Sequence, residues 1–291
     1  MRPNQSSLTA ENNAILRANE FLRPPEERIC HDPYALYFLP ESIFSADDRN
    51  DQIQAAVSRW ETHFPGVCNA ILARTRFIDD CLEQAISEGI RQLVILGAGY
   101  DTRALRFDAL RQGMMVFEAD HPATQRLKTE RIDKYLDVDL ANVHFLPVDL
   151  SGEELEEKLL APPYDEKKKT LFIWEGVTYY LPAPAVDRTL LSIRDCSASG
   201  SSIIFDYFPP SVADGTTLLR EAKALREGLK HIGEKIVFGI APSKITDFMR
   251  DRGFAVTKNL SGKDLKKAYF KGANKNRLLS GMFMFVQARV Q

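Results

Sequence analysis

Short apolar runs alternate with longer amphipathic segments from about Val67 onward, and this pattern predicts strands that alternate with helices. The β-α-β-α order favours a largely parallel sheet covered by helices on both faces. Strands are predicted at 92–96, 114–118, 143–148, 170–174, 202–206, 255–259 and 281–288. The last two are separated by a polar loop, Ser261 to Arg277, whose basic residues are expected to be solvated. These two strands are therefore expected to form an antiparallel hairpin.

Two segments lie outside this alternation. Residues 1–66 precede the first strand and are expected to form a helical arm, whereas residues 208–241 follow the fifth strand. The second segment begins with Pro209-Pro210 and then places four apolar residues on one helical face, namely Leu218, Ala222, Leu225 and Leu229. Open α/β sheets bind ligands at the carboxyl ends of their strands. Both segments are therefore candidates for a lid over that edge, or they could only cover core surface; we expect a contribution of both kinds.

The chain is predicted to be a single domain in four parts. They are the arm (1–66), a core that carries the ligand-binding edge (67–207), a lid insertion (208–241), and a C-terminal helix with the last two strands (242–291). With 291 residues, 44% of them hydrophobic, the chain can bury a substantial core.

Charge and composition exclude several classes of protein. The net charge of −2 creates no field that would favour nucleic acid or an anionic membrane. The four cysteines and five histidines are scattered, which argues against a metal site and for reduced thiols. Residues 1–10 have no apolar signal core, and no run approaches the roughly 20 apolar residues of a membrane span. We therefore expect a cytoplasmic protein.

The strand predicted over 92–96 runs directly into Gly97-Ala98-Gly99-Tyr100. Glycines at this point allow a tight turn and a close approach of a nucleotide to the backbone. A dinucleotide-binding fingerprint would have a third small residue at position 102, which is Thr102 here. The turn could also be an ordinary connection, so it indicates a nucleotide site only in combination with other signals.

The next apolar runs also end in acidic residues. Glu118 and Asp120 lie about 20 residues beyond the glycines, where a carboxylate accepts hydrogen bonds from a ribose. Asp149 could accept from an adenine amino group while the backbone N–H of Leu150 donates to a ring nitrogen, or it could cap the following helix. Each acid could be a solvated strand end. Together they describe a pocket for a ligand with hydroxyls, an amino group and a cationic centre.

Two charged residues are expected at buried positions. Glu175 ends the apolar run 171–174, so it needs either a protein cation or a cationic ligand as a partner. Arg74 shares the apolar face of a helix predicted over 67–88, so it needs either a cofactor's methionine carboxylate or a buried aspartate. The chain has no Gly-x-Ser-x-Gly elbow and no P-loop, which argues against serine hydrolases and P-loop hydrolases.

Three motifs in combination resemble the leucine carboxyl methyltransferase family, namely 97–103, 117–122 and 175–181. The segments 17–20, 32–35 and 73–80 extend the resemblance, which is closer to the bacterial and fungal branch of polyketide-synthesis O-methyltransferases. It runs through most of residues 14–207 and is weaker after Phe208. The resemblance implies a class I, Rossmann-like methyltransferase fold. That fold is a seven-stranded, mostly parallel sheet with an antiparallel final strand, and it binds S-adenosylmethionine at the strand ends.

The resemblance also implies roles for individual residues. The cofactor contacts it implies are Arg74 and Glu175 at the amino-acid end, Gly97, Ala98 and Gly99 under methionine and ribose, Glu118 and Asp120 at the ribose, and Asp149 and Leu150 at the adenine. Tyr180 would face the reaction centre and is the candidate catalytic residue. The family's protein-directed member uses an N-terminal lysine, but the first lysine here is Lys128, which argues against a protein acceptor.

The expected reaction is the transfer of a methyl group to an oxygen atom, preferably a carboxylate of a small molecule. A carboxylate is already ionised at neutral pH, and the sequence contains no recognisable constellation for activating a hydroxyl. An NAD-dependent oxidoreductase is the alternative, although it does not explain Arg74, Asp149 and Glu175 together. A cofactor-binding relative without catalysis is a further alternative.

Overall fold

Seven strands form one sheet in the order β3-β2-β1-β4-β5-β7-β6 in a computed structural model that describes residues 7–152 and 155–291. Strands β1 to β5 pair in parallel, whereas β7 runs antiparallel to both β5 and β6. This is the predicted sheet, and the seven predicted strands are confirmed with small shifts at their ends. The strands are β1 (Gln92–Leu96), β2 (Met115–Asp120), β3 (Val143–Pro147), β4 (Thr170–Trp174), β5 (Ser202–Tyr207), β6 (Phe254–Ser261) and β7 (Met284–Val290).

Helices cover both faces of the sheet. The α-helices are α1 (Leu8–Phe21), α2 (Glu41–Phe44), α3 (Arg49–His63), α4 (Val67–Ser87), α5 (Arg103–Arg106), α6 (Asp108–Arg111), α7 (Pro122–Tyr135), α8 (Leu155–Leu159), α9 (Ala183–Asp195), α10 (Pro210–Asp214), α11 (Arg220–His231), α12 (Ile245–Arg250) and α13 (Gly262–Tyr269). Short 3₁₀ turns occur at Pro25–Glu27, Pro33–Phe38, Thr178–Tyr180, Pro242–Lys244 and Gly272–Asn274. None of the described helices has the length and apolar character that crossing a bilayer requires.

The alternation of side chains along each strand divides the core into two layers. Leu93 and Ile95 of β1 pack in one layer with α4, whereas Val94 and Leu96 pack in the other with α9. All five positions of β1 are buried, and four of them, Leu93 to Leu96, are consecutive apolar residues. Because β1 to β5 are parallel, their carboxyl ends meet at one edge of the sheet.

The segment before the sheet is held against the core by buried ion pairs. Arg17 of α1 bonds to Asp32 over 2.7 Å and donates a second hydrogen bond to the carbonyl of Tyr100, directly after the glycine turn. Glu20 is fully buried and accepts two hydrogen bonds from Arg277. The first six residues of the predicted arm lie outside the described residues.

The prediction of a polar, solvated loop between β6 and β7 is wrong in part. The antiparallel pairing is confirmed, but α13 lies between the two strands, and a capping box formed by Ser261 and Asp264 begins it. Leu265 and Phe270 are buried in the core. The sequence did not indicate this, because the two apolar residues are widely spaced and surrounded by lysines. Arg277, expected in solvent, is the partner of Glu20.

The predicted helical face after β5 is also wrong at one position. Leu218 is 90% exposed, because the backbone is extended at Leu219 and α11 begins only at Arg220. Ala222 and Leu229 are buried as expected.

Replacing Arg277 with alanine should destabilise the fold by about 3–5 kcal/mol, because the Glu20 carboxylate would then be buried without its cation. Urea unfolding followed by circular dichroism measures this loss. Arg250→Ala is the matched control, since Arg250 pairs with Asp247 at an exposed position and its loss should cost less than about 1 kcal/mol. Equal unfolding midpoints for the two variants would contradict the assignment.

Candidate functional site

The turn after β1 is tied to the end of β2. Gly97 and Gly99 have positive φ angles of 67° and 49°, and a Cβ at Gly97 would collide with the side chain of Val177. The N–H of Gly99 donates to Oδ2 of Asp120 over 2.6 Å, and the N–H of Ala98 donates to the carbonyl of Ala119. The glycines are thus required by the turn itself, whatever binds beside it.

The two acids of β2 differ in accessibility. Glu118 is fully buried and paired with Lys128, and burial raises its pKa despite that lysine. Asp120 is partly exposed and accepts hydrogen bonds from the N–H groups of Gly99 and His121. Burial also raises the pKa of Asp120, more than these hydrogen bonds lower it. Of the two predicted ribose acids, Asp120 is the one that a ligand can reach.

The end of β3 carries an exposed carboxylate. Oδ1 of Asp149 accepts from the N–H and the hydroxyl of Ser151, at 2.9 and 2.7 Å. Burial raises the pKa of Asp149, but these hydrogen bonds outweigh it and the net shift is downward. Asp149 thus stabilises a local turn with Ser151. Leu150 beside it is buried.

Arg74 lies buried between two carboxylates. Its Nε donates to Glu175 over 3.0 Å, and its Nη1 donates to Asp206 over 2.8 Å and to the hydroxyl of Tyr179 over 3.3 Å. Of the two partners that the sequence left open for Arg74, the buried aspartate is present. Glu175 pairs with two protein cations, Arg74 and Arg103. Of the two kinds of partner that the sequence left open for Glu175, the protein cation is present.

Arg103 extends this network beyond the sequence-based prediction. Its guanidinium contacts Asp79 at 2.8 Å, Glu175 at 2.9 Å and Asp101. Arg106 adds a second contact to Asp79 at 2.7 Å. We call these seven groups the charge network: Arg74, Arg103, Arg106, Asp79, Asp101, Glu175 and Asp206. Three guanidiniums face four carboxylates, which leaves one net negative charge.

Two members of the charge network were missed although the sequence held a signal for each. Asp206 ends the apolar run of β5 just as Glu175 follows that of β4, so the same reasoning applied to both. Arg103 occupies the first turn of α5, where the helix dipole disfavours a cation and a basic residue suggests a specific acidic partner.

The carboxylates of the charge network respond differently to burial. Burial raises the pKa of Glu175, but the positive charges of Arg103 and Arg74 outweigh this effect and lower the pKa to about 2. Asp206 has one guanidinium partner, so burial dominates and its pKa is raised. The pKa of Arg74 lies well above its usual value, since Asp206 and Glu175 overcome the effect of its burial. Arg74 and Glu175 therefore remain charged at neutral pH.

An apolar cavity opens beside Arg74. Its empty volume, with the open mouth included, is about 680 Å³. The walls come from α1, α3, α4 and α11, and Tyr179, Tyr180, Phe208 and Phe283 complete them. The cavity therefore lies between the segment that precedes the sheet and the segment that follows β5. Residues of both segments line the cavity.

The two covering segments meet next to Tyr180. The hydroxyl of Thr9 in α1 donates to Glu234 over 2.6 Å, and the N–H of Val237 donates to the carbonyl of Tyr179 over 2.8 Å. Burial and the nearby charge of Glu234 raise the pKa of Tyr180. Its hydroxyl therefore keeps its proton at neutral pH, and it can donate a hydrogen bond at the cavity wall.

Glu175→Gln should have a lower free energy of unfolding than the wild type at neutral pH, and this difference should narrow as the pH falls. The pKa of Glu175 is about 2 in the folded state and 4.5 in the unfolded chain. Its ionised carboxylate therefore stabilises the fold above pH 4.5, and this stabilisation is lost as the pH falls towards 2. The gap should narrow by about 2 kcal/mol between pH 5 and pH 3, measured by urea unfolding.

The control for this measurement is Glu157→Gln, at an exposed position of α8. The difference in free energy of unfolding between this variant and the wild type should stay constant over the same pH range. A gap for Glu175→Gln that widened towards pH 3 would refute the assignment of Glu175 as a carboxylate held ionised by two guanidiniums.

Sequence comparisons identify relatives of this chain. The family model for leucine carboxyl methyltransferase matches residues 10–194. A protein of Mycobacterium avium named "Putative S-adenosyl-L-methionine-dependent methyltransferase" is 30% identical over 260 residues, covering 87% of this chain and 84% of that protein. A protein of the same description from Streptomyces coelicolor is 40% identical over 203 residues, 69% of each chain.

Solved structures of other proteins have a similar fold. A methyltransferase-like crystal structure from Thermobifida fusca has a TM-score of 0.60 at 18% identity, covering 88% of this chain and 93% of that one. A DUF574 family protein from Streptomyces avermitilis has a TM-score of 0.62 at 12% identity, covering 88% and 96%. These similarities concern the fold, whereas the family assignment comes from the sequence matches. The chain belongs to the leucine carboxyl methyltransferase family.

Proposed function

We propose that this protein transfers a methyl group from S-adenosylmethionine to a carboxylate oxygen of a small molecule. The coarser part of this statement, an S-adenosylmethionine-dependent methyltransferase, follows from the family and from the descriptions of the relatives. These confirm the cofactor predicted from the sequence and do not favour the NAD-dependent alternative. The finer part is carried by one observation, the apolar cavity that opens beside Arg74 at the strand ends.

The residues at the strand ends fit the proposed cofactor. Asp120 presents a reachable carboxylate at the end of β2, where ribose hydroxyls would donate to it. The single net negative charge of the charge network complements a cation placed nearby. Asp149 and Leu150 at the end of β3 would border the adenine, and Arg74 and Glu175 the amino-acid end. S-adenosylmethionine supplies, when bound, a methyl group on a positively charged sulfur.

The cavity wall supports a carboxylate as the acceptor. Among the described residues that line the cavity, there is no aspartate, glutamate or histidine to remove a proton. Burial raises the pKa of Cys68, Tyr179 and Tyr180, so these groups stay protonated at neutral pH. An alcohol would need a base, whereas a carboxylate is ionised already. The chain's own residues therefore act by binding, orienting and excluding water.

Tyr180 is suited to orienting such an acceptor. The protonated Tyr180 hydroxyl lies on the cavity wall and can donate to one carboxylate oxygen, which leaves the other oxygen free to react. Holding the acceptor in line supplies a large part of the rate of a reaction between two bound reactants.

S-adenosylhomocysteine should raise the melting temperature of the protein, and NAD should not. Asp120→Asn should weaken S-adenosylhomocysteine binding about tenfold in calorimetry, a loss of about 1.4 kcal/mol, because a ribose acceptor loses its charge. Asp133→Asn, at an exposed position of α7, is the matched control and should bind like the wild type. Stabilisation by NAD alone would refute the cofactor.

The methylated product should be an ester. With S-adenosylmethionine tritiated in its methyl group, transfer to carboxylic acids should give products that release tritiated methanol in mild alkali, and matched alcohols should give none. The rate at saturating acid should be nearly independent of pH between 6 and 9, because no proton is removed. An alkali-stable product, or a rate that rises tenfold per pH unit, would refute a carboxylate acceptor. S-adenosylhomocysteine binding without transfer to any acid would favour a non-catalytic relative.

A further inference from the structure

We propose that the acceptor is an elongated apolar carboxylic acid, whose hydrocarbon body lies in the cavity between α1, α4 and α11 while its carboxylate accepts a hydrogen bond from Tyr180. This inference rests on the proposed function for the chemistry of the head group. It adds the chemistry of the body and the residues that limit its length.

The cavity walls select an apolar body. Leu16 of α1, Ile71 of α4 and Leu225 and Leu229 of α11 face the cavity together with Phe283. Each methylene that such walls remove from water should raise the affinity about fourfold. A peptide placed against α4 and α11 would bury backbone N–H and C=O groups without partners, which disfavours a protein tail.

The hydroxyl of Tyr180 sets the direction of the acceptor. It lies on the cavity wall and keeps its proton at neutral pH, so it can hold the carboxylate at its end of the cavity. Ile232 also lines the cavity, is 37% exposed, and therefore marks the mouth. The body should extend from Tyr180 along α11 towards Ile232, and a chain longer than this path should emerge into solvent.

Binding can be measured without the cofactor, because one of the two tryptophans lines the cavity. Trp60 faces the cavity, whereas Trp174 of β4 is fully buried in the core layer next to α9. Titration with decanoate should change the tryptophan fluorescence, and Trp60→Phe should abolish the change. Decanoate should bind at least tenfold more tightly than decanol or decyltrimethylammonium. Equal or weaker binding of decanoate than of both of these, or a signal that survives in Trp60→Phe, would overturn the inference.

The length limit is tested on the whole enzyme with straight-chain acids of 4 to 16 carbons. For the wild type, kcat/KM should rise with length and then level off or fall. Leu229→Trp narrows the cavity and should move this maximum to shorter acids, with at least a tenfold loss for the longest. Lys230→Trp, on the exposed side of the same helix, should keep the wild-type profile. Leu225→Phe is a second, milder variant in case Leu229→Trp does not fold.

The outcomes separate this inference from the proposed function. S-adenosylhomocysteine binding, measured by thermal shift, should be the same in the wild type and in the folded variants. Transfer to short polar acids at least as fast as to decanoate, or the same profile in Leu229→Trp, Leu225→Phe and Lys230→Trp, would overturn the inference and leave the function standing. Methyl ethers formed from decanol, with no ester from any acid, would overturn the function itself.

Discussion

The carboxylate of Glu175, shared by Arg74 and Arg103, is the interaction on which the rest of the site depends. It joins α4, α5 and the end of β4 at one point. A buried carboxylate is costly unless it is paired, and a buried guanidinium is equally so. Because each group satisfies the others, the three elements have one mutual arrangement. The strand ends are therefore a fixed platform rather than a set of independent loops.

The sequence predicted those parts of the molecule that follow from local pattern. Consecutive apolar residues identified β1 and β4, and the glycines identified the turn, because burial and backbone conformation are read from neighbouring positions. Arg74 stood out because it interrupts an apolar helical face. Its partners could not be identified, since Asp206 lies 132 positions further along the chain.

The errors in the prediction have separate causes. Leu218 fits the helical spacing of α11, yet an extended residue before the helix leaves it in solvent. The lysines of 263–275 concealed α13, because the buried Leu265 and Phe270 are too widely spaced for a strong periodic signal. Glu118 and Asp120 both have the spacing of a ribose acid, and the buried Lys128 beside Glu118 distinguishes them. None of these deciding features leaves a periodic signal in the sequence.

One helix borders both halves of the site. A Cβ at Gly99 would lie 3.2 Å from Cβ of Ala10, so α1 packs directly on the glycine turn, while Thr9 and Asn13 of the same helix face the cavity. Ala10 lies between Thr9 and Asn13 in the first turns of α1, so the same stretch of helix covers the glycines and lines the cavity. A substitution that displaces this stretch would alter the surroundings of the glycines and the shape of the cavity together.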